Sequence, residues 1–224
     1  DHADRGYIRD IFADSQSTLD ALLTPGLAFL RQQGKTHILT GEYTGRYITP
    51  GVDSRYDALS TLLRERFDCE STVDDMEADL RLPLPNEHQR RAEQSAREYG
   101  VHFERYEPSM LPAMRGFAAA LGIDQWFPPG WEAGYGAQHL AFVARKGEQI
   151  VGWTDYAPED TAMSLGPMGV APEHRGHGIG SCLVLACMRE GQRCGLDRIW
   201  AGWTNSPFYV PNGWRVFRQF IVFE

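Results

Sequence analysis

Spacing of the apolar residues divides the chain into short apolar runs and stretches of helical period. Tyr7–Phe12 predicts a strand, and Leu19, Leu22, Leu23, Leu27 and Leu30 predict a helix over Leu19–Gln33, interrupted at Pro25-Gly26 and ended by Gly34. Thr36–Thr40 predicts a second strand, Gly41–Ser54 a loop, Arg55–Arg66 a helix, and Cys69–Leu82 has room for one more strand. Pro83 and Pro85 read as a boundary, and the charged run up to Arg97 as a solvated helical connector. A strand through Tyr106 follows, then a helix from Ser109, its cap, to Leu121, ended by Gly122. After an aromatic, glycine-rich segment over Asp124–Gln138, the strands Leu140–Arg145 and Gln149–Tyr156 form a hairpin about Lys146-Gly147-Glu148. Ala162–Val170, Arg198–Trp203 and Trp214–Glu224 predict further strands, with a helical run from Ile179 through Glu190 between the first two.

The order strand, helix, strand, loop, helix occurs once before Arg66 and again from Ser164 to Trp214, which reads as an internal repeat. The two copies differ at the start of the first helix. In the second copy Arg175-Gly176-His177-Gly178-Ile179-Gly180 joins strand to helix, whereas the first copy has Ala13-Asp14-Ser15-Gln16-Ser17-Thr18. Alternating glycines let backbone N–H groups turn inward without a Cβ in the way. A helix start adds unpaired donors and the positive dipole end, so the second copy reads as a phosphate cradle. A tight turn with no ligand is the plainer reading of the glycines alone. No Gly-Lys-Ser/Thr follows, so this is not a P-loop, and the even spacing departs from the dinucleotide fingerprint. Asp14, in the first copy, would repel phosphate.

The order Val170-x-Pro172-x-x-Arg175-Gly176-x-Gly178-Ile179-Gly180 resembles the acetyl-CoA loop of the GNAT acetyltransferase superfamily. The resemblance runs in order over Val101–Glu224, and more loosely over the first part, as in family members that carry two units in tandem. It implies an α/β fold: a mixed, mostly antiparallel sheet splayed at the acyl-CoA site, with helices on both faces. The implied division is a partial, degenerate unit at 1–84, a connector at 85–99 and an acetyltransferase domain at 100–224. Acetyl-CoA is then the co-substrate, held by Met168, Gly169 and Val170 on the strand and by Arg175, Gly176, His177, Gly178, Ile179, Gly180 and Ser181 on the loop and helix start. Asn205 and Phe208 complete that set. The family's general acid is a tyrosine in a Phe/Tyr pair past an asparagine and ahead of a Gly-aromatic pair, which Asn205, Phe208-Tyr209 and Gly213-Trp214 match. Pro207 and Pro211 confine that helix to about one turn, a departure that puts the aim of the Tyr209 phenol in doubt. A phenol packed in a strand-helix corner is the plainer reading. Trp126, Trp131 and Tyr135 fall in the segment that forms the family's acceptor wall, with core packing as the alternative. Asp155 and Tyr156 end a strand near the expected gap and are candidates for the base or the acceptor site, with a solvated turn as the plainer reading.

Composition narrows the function without naming it. At 224 residues, 42% hydrophobic and 23% charged, the chain is of ordinary globular make-up. A net charge of -8 argues against a nucleic-acid partner. No apolar run approaches the ~20 residues that span a bilayer, and nothing reads as a signal peptide, so a cytoplasmic location is the expectation. The start at Asp1 without a methionine leaves room for an upstream segment. Cys69, Cys182, Cys187 and Cys194 lack paired spacing, so neither a disulfide nor a metal is expected. Cys187 and Cys194, two helical turns apart, are expected on one buried face, and His174 and His177 as solvated loop residues. The expected activity is transfer of an acetyl group from acetyl-CoA to a primary amine of a small molecule. A non-catalytic acyl-CoA-binding module, another acyl group, or a protein amine are the alternatives.

Overall fold

The computed structural model describes residues 3–9, 11–41, 50–68, 70–127, 140–204 and 206–224. Its contacts form two compact units, one of residues 1–75, 203–205 and 216–224 and the other of 76–202 with 206–215.

In the first unit, strands β1 (Arg5–Ile8) and β2 (His37–Thr40) pair in parallel, connected by helix α1 (Gln16–Gln32). The side chains ahead of α1 close its N-terminus: Ser15 Oγ accepts from the Thr18 amide, and Asp14 Oδ1 accepts from Thr18 Oγ1 at 3.2 Å. α1 runs unbroken through Pro25, where an interruption was expected. A proline removes one backbone donor, and the turns on either side are held by buried Leu19 and Leu23 and by the Gln33 amide bonded to Phe29 O. Strand β3 (Val52–Asp53) pairs antiparallel with the last strand, β10 (Arg215–Phe223). Helix α2 (Asp57–Arg64) places Leu59 and Leu63 in a core with Leu19, Leu23, Ile221 and Phe223. Asp53, buried beside β10, accepts from Arg55 at 2.6 Å and Arg218 at 2.9 Å. The Arg55 hydrogen bond, against the opposing effect of burial, holds its carboxyl well below the usual range.

Strand β4 (Glu70–Asp79) carries residues of both units. The second unit continues through α3 (Glu87–Glu98), β5 (His102–Arg105), α4 (Leu111–Leu121), β6 (Leu140–Lys146), β7 (Gln149–Pro158), β8 (Ala162–Val170), α5 (Ile179–Arg193), β9 (Arg198–Thr204) and the single turn α6 (Ser206–Tyr209). The sheet has eight strands in the order β3-β10-β4-β9-β8-β7-β6-β5. From β5 to β8 the neighbours are antiparallel, and β8 with β9 is parallel. Successive residues of β6 serve opposite faces, and in β7 a bulge that leaves Val151 unpaired between Ala144–Gly152 and Arg145–Ile150 turns it away from the face of Trp153. Ala141, Val143 and Trp153 pack with Met114 and Phe117 of α4, while Ala144 and Val151 pack with Ile179 and Leu183 of α5. The β8-α5-β9 passage repeats the parallel β1-α1-β2 arrangement of the first unit.

Three further local expectations change. Ser109 does not cap α4; a 3-10 turn over Pro108–Met110 leads in, and Pro112 takes the first helical turn, where a missing N–H costs nothing. Residues 87–98 are no solvated connector. Gln89, Ala92 and Ala96 are buried and α3 packs on α5, because small residues on both sides, Cys182 on α5 among them, permit close approach. A capping box fixes the start of α3, with Gln89 amide bonded to Asn86 Oδ1 and the Asn86 amide to Gln89 Oε1, both at 2.9 Å. Cys187 and Cys194 do not share a buried face, since the helix ends at Arg193 and Cys194 is exposed beyond it. Cys182 is buried instead, which pushes its thiol up to about 12 and leaves it inert.

On α5, buried Glu190 accepts from Arg193 at 2.9 and 2.7 Å and from Arg105 on β5. The Arg193 hydrogen bonds, opposed by burial and aided by Arg105, bring its carboxyl from 4.5 down to about 2. A carboxyl that binds its proton more weakly folded than unfolded stabilises fully above its unfolded value and loses that contribution as pH falls through the folded one. Glu190→Gln is therefore expected to lower stability by roughly 1–3 kcal/mol at pH 7. Denaturant melts at a series of pH values check this, and the gap between variant and wild type closes as the pH falls from 4.5 to 2.

Candidate functional site

The site begins where a sheet stops being one. β8 and β9 pair only at Ala162–Arg198, Met163–Ile199 and Ser164–Trp200, although β8 continues to Val170. Beyond Ser164 the side of β8 that faced β9 has no strand partner among the described residues. The other side stays paired with β7 as far as Gly152–Val170. Open backbone groups of this kind take either water or an extended guest.

A cavity of about 920 Å³ lies against this edge, within the second unit. Met168, Gly169 and Val170 line it from β8, and Arg175, Gly176 and Gly178 from the loop. Ile179, Gly180 and Ser181 line it from the first turn of α5. A 3-10 turn over Pro172–His174 carries β8 into the loop, and Arg175 Nε donates back to Val170 O at 3.1 Å. α5 opens at Gly178, with φ of 75° and no side-chain cap. Its first intrahelical bond runs from the Cys182 amide to Gly178 O, which leaves the amides of Ile179, Gly180 and Ser181 ahead of the helix's own ladder. The first turn of α5, with its positive dipole end, is part of the cavity wall.

Gly178 meets two demands at once. Its φ belongs to the left-handed region, and a Cβ there would stand 2.6 Å from Ala92 O and 2.7 Å from Ala92 Cα. The loop therefore lies directly on the backbone of α3. Gly176 also has positive φ, 81°, but nothing lies within 4 Å of a Cβ built on it. On the opposite side, a Cβ on Gly180 would come to 3.2 Å from the Phe208 ring.

Phe208 lines the cavity together with Pro207 and Pro211. Tyr209 does not; its ring is buried between Phe208, at 5.0 Å between centroids, and Trp214, at 4.9 Å, in the core cluster that includes Cys187. Burial raises its phenol above the ordinary tyrosine value. As expected from the two prolines, α6 is a single turn, followed by a 3-10 turn over Val210–Asn212. Asn212 Nδ2 donates to Phe208 O at 2.9 Å, and Gln89 Nε2 of α3 donates to Asn212 O at 3.0 Å. α3 thereby braces both the loop and the turn opposite it.

Trp126 lines the cavity and is 44% exposed. Trp131, Tyr135 and Asn205 lie outside the described residues. Asp155 and Tyr156, expected near the gap, are buried at 4% and 1% exposure and do not line the cavity. Strand β7 is covered on both faces, so its residues have no solvated side to turn to. Tyr156 stacks on Phe142 at 5.1 Å, and burial raises its phenol. His174 and His177 are not simply solvated: the Tyr99 hydroxyl is hydrogen bonded to His174 Nδ1 at 2.8 Å, and His177 stacks on the Tyr99 ring at 3.6 Å. Lys146 Nζ stands 3.2 Å from the centre of the same ring, necessarily on its other face. His88, Arg91 and Ser95 of α3 also line the cavity, and sequence reasoning passed over them. Their signal was present, because 88, 91, 92 and 95 fall at helical spacings on one face, with alanine among them.

The sequence profile of the family described as Acetyltransferase (GNAT) family matches residues 103–209. No curated protein matches the chain in sequence. Among solved structures the chain is similar to a fungal protein, described as a GCN5-related glucosamine N-acetyltransferase region in a multi-domain GH3 β-N-acetylglucosaminidase, with a TM-score of 0.71 and 19% identity. That alignment covers 97% of this chain and 29% of the fungal one, so this chain spans less than a third of that protein. It is also similar to a GCN5-related N-acetyltransferase from Sphaerobacter thermophilus, with a TM-score of 0.62, 14% identity and coverage of 93% and 68%. A tandem GNAT protein from the clavulanic acid biosynthesis pathway gives a TM-score of 0.58, 13% identity and coverage of 99% and 75%. At such identities the likeness speaks to the fold.

The two glycines of the loop provide a test of its seat on α3. Gly176→Ala is expected to cost about 1 kcal/mol, the strain of a left-handed alanine alone. Gly178→Ala adds a backbone collision and is expected to cost roughly 2–4 kcal/mol. Equilibrium denaturation of both variants measures the difference; equal losses would mean that α3 does not press on the loop.

Proposed function

Through residues 103–209 this chain belongs to the GNAT acetyltransferase family, and from that premise we propose that it transfers an acetyl group from acetyl-CoA to the primary amine of a small molecule. The observation that carries this reading is the continuity of three features along one cavity wall. The open edge of β8 suits the extended amide-bearing arm of the coenzyme, the amides at Ile179–Ser181 suit its pyrophosphate, and the loop Arg175–Gly178 joins the two. The reaction proposed uses no metal ion.

Acetyl transfer to an amine forms a C–N bond and breaks the thioester C–S bond, with one proton leaving the nitrogen and one reaching the sulfur. The residues of this chain orient the thioester carbonyl, keep its arm extended and supply the proton to the departing thiolate. An alkylamine with a pKa of about 10.4 is neutral in only about one molecule in a thousand at pH 7, so deprotonation of the acceptor governs the rate at low pH. We assign the proton donor as Tyr209, which is buried behind Phe208 and does not itself line the cavity, so its phenol must reach the sulfur past that ring. Its raised pKa keeps the phenol protonated at neutral pH, and leaves transfer to a thiolate of pKa about 8.5 uphill even when C–S cleavage is complete.

The first unit is proposed to bind no coenzyme, since Ser15 and Asp14 occupy the N-terminus of α1 that glycines leave open in α5. Calorimetry with CoA is expected to give one site per chain, and a stoichiometry of two would overturn this. The activity is tested by thiol release from acetyl-CoA with a panel of amines headed by glucosamine, the acceptor class named for the fungal neighbour. Binding without thiol release across the panel would favour a non-catalytic acyl-CoA module. Tyr209→Phe removes one oxygen and keeps the ring, so it is expected to preserve CoA affinity and lower kcat by about 10²–10⁴-fold. A variant at close to the wild-type rate would make Tyr209 a packing residue.

A further inference from the structure

The cavity that receives the coenzyme in the reading above has a wall that the strand, loop and cradle helix do not provide. α3 runs along the loop from the first turn of α5 outward. His88 Nε2 stands 3.2 Å from Ser181 Oγ, and one turn later the Ala92 backbone sits under Gly178. Between these two contacts in sequence is Arg91, whose side chain lines the cavity and is 77% exposed.

Charge at the cavity runs against the character of the chain. The protein has a net charge of -8, yet the described residues that line this cavity include Arg91 and Arg175 and no Asp or Glu. Arg175 is partly committed, its Nε donating to Val170 O at 3.1 Å. Among the described residues Arg91 is held by Glu87, one turn earlier on the same exposed helix face. An exposed i,i+4 pair is weak and gives way readily to a doubly charged phosphate, with which a guanidinium forms two parallel hydrogen bonds.

We propose that α3 is part of the coenzyme site and that Arg91 binds a phosphate of CoA, either the pyrophosphate at the cradle or the phosphate on the ribose. The proposal rests on the reading that this cavity takes CoA. It adds a residue from a helix that precedes the segment matched by the family profile, 103–209. Because Arg91 is a rim cation, its contribution is carried by a charge-assisted contact close to solvent and is sensitive to salt.

The test is calorimetry on the full chain with CoA and with dephospho-CoA, which lacks the ribose phosphate, for the wild type, Arg91→Ala and Arg91→Lys. Arg91→Ala is expected to weaken CoA binding about tenfold and to flatten its dependence on salt, and Arg91→Lys to restore part of the loss. A loss seen with CoA and not with dephospho-CoA assigns the contact to the ribose phosphate; the same loss with both ligands assigns it to the pyrophosphate. If folded Arg91→Ala binds both ligands as the wild type does, with the same salt dependence, Arg91 is not a ligand and the proposal fails alone. If the wild type binds neither ligand, the reading of the cavity fails, and this inference with it.

Discussion

The backbone of α3 against Gly178 is the contact on which the site depends. An oxygen and a Cα of Ala92 lie where any side chain at 178 would have to be, so loop and helix are in contact through main chain alone. Main-chain contacts have no rotamers to relax, and a shift of α3 is transmitted to the amides of α5 without loss. The same helix holds Asn212 through buried Gln89, and Asn212 holds Phe208 O. One element thus sets the loop on one side of the cavity and the aromatic turn on the other. The capping box at Asn86 and Gln89 uses the Gln89 side chain and amide together, so the start of the helix and its buried bridge are fixed by one residue.

The repeated parallel β-α-β passage shows how little sequence separates a site from a scaffold. In α1, Ser15 Oγ accepts from the Thr18 amide and Asp14 Oδ1 from the Thr18 hydroxyl, so one donor of the helix end is satisfied internally and a carboxylate stands beside it. In α5 the residue at that place is Gly178, left-handed with φ of 75° where Ser15 is extended with φ of -150°, and it brings no side chain to the first-turn amides. The difference is one of backbone conformation as well as of side chain.

Much of this was legible in the chain. The strand Ala162–Val170 was read with the bounds it has, because its apolar run is bracketed by Asp160 and Pro172, and the ending of α4 at Gly122 followed from a residue that takes φ of 63° without strain. The glycine loop was readable because its chemistry is local. α3 was not, since the run GluHisGlnArgArg looks solvated until its partner is known; only tertiary packing shows that Ala92 and Ala96 meet Cys182. Asp155 and Tyr156 were misplaced for a related reason. A strand end in sequence does not tell which faces are covered, and β7 is covered on both. The ring sandwich of His177, Tyr99 and Lys146 joins three separate segments, and no spacing rule reaches that far.

The early end of pairing between β8 and β9 also sets where an edge begins. Where Ser164 and Trp200 are still bonded, the two strands stand one hydrogen bond apart. Past that point β8 has no strand partner on that side among the described residues, and Leu165, Gly166 and Pro167 separate the last bonded pair from Met168, where the strand begins to line the cavity. The start of the open edge is thereby fixed by the register of three residue pairs, and a bulge or slip there would move it without altering a single side chain that lines the cavity.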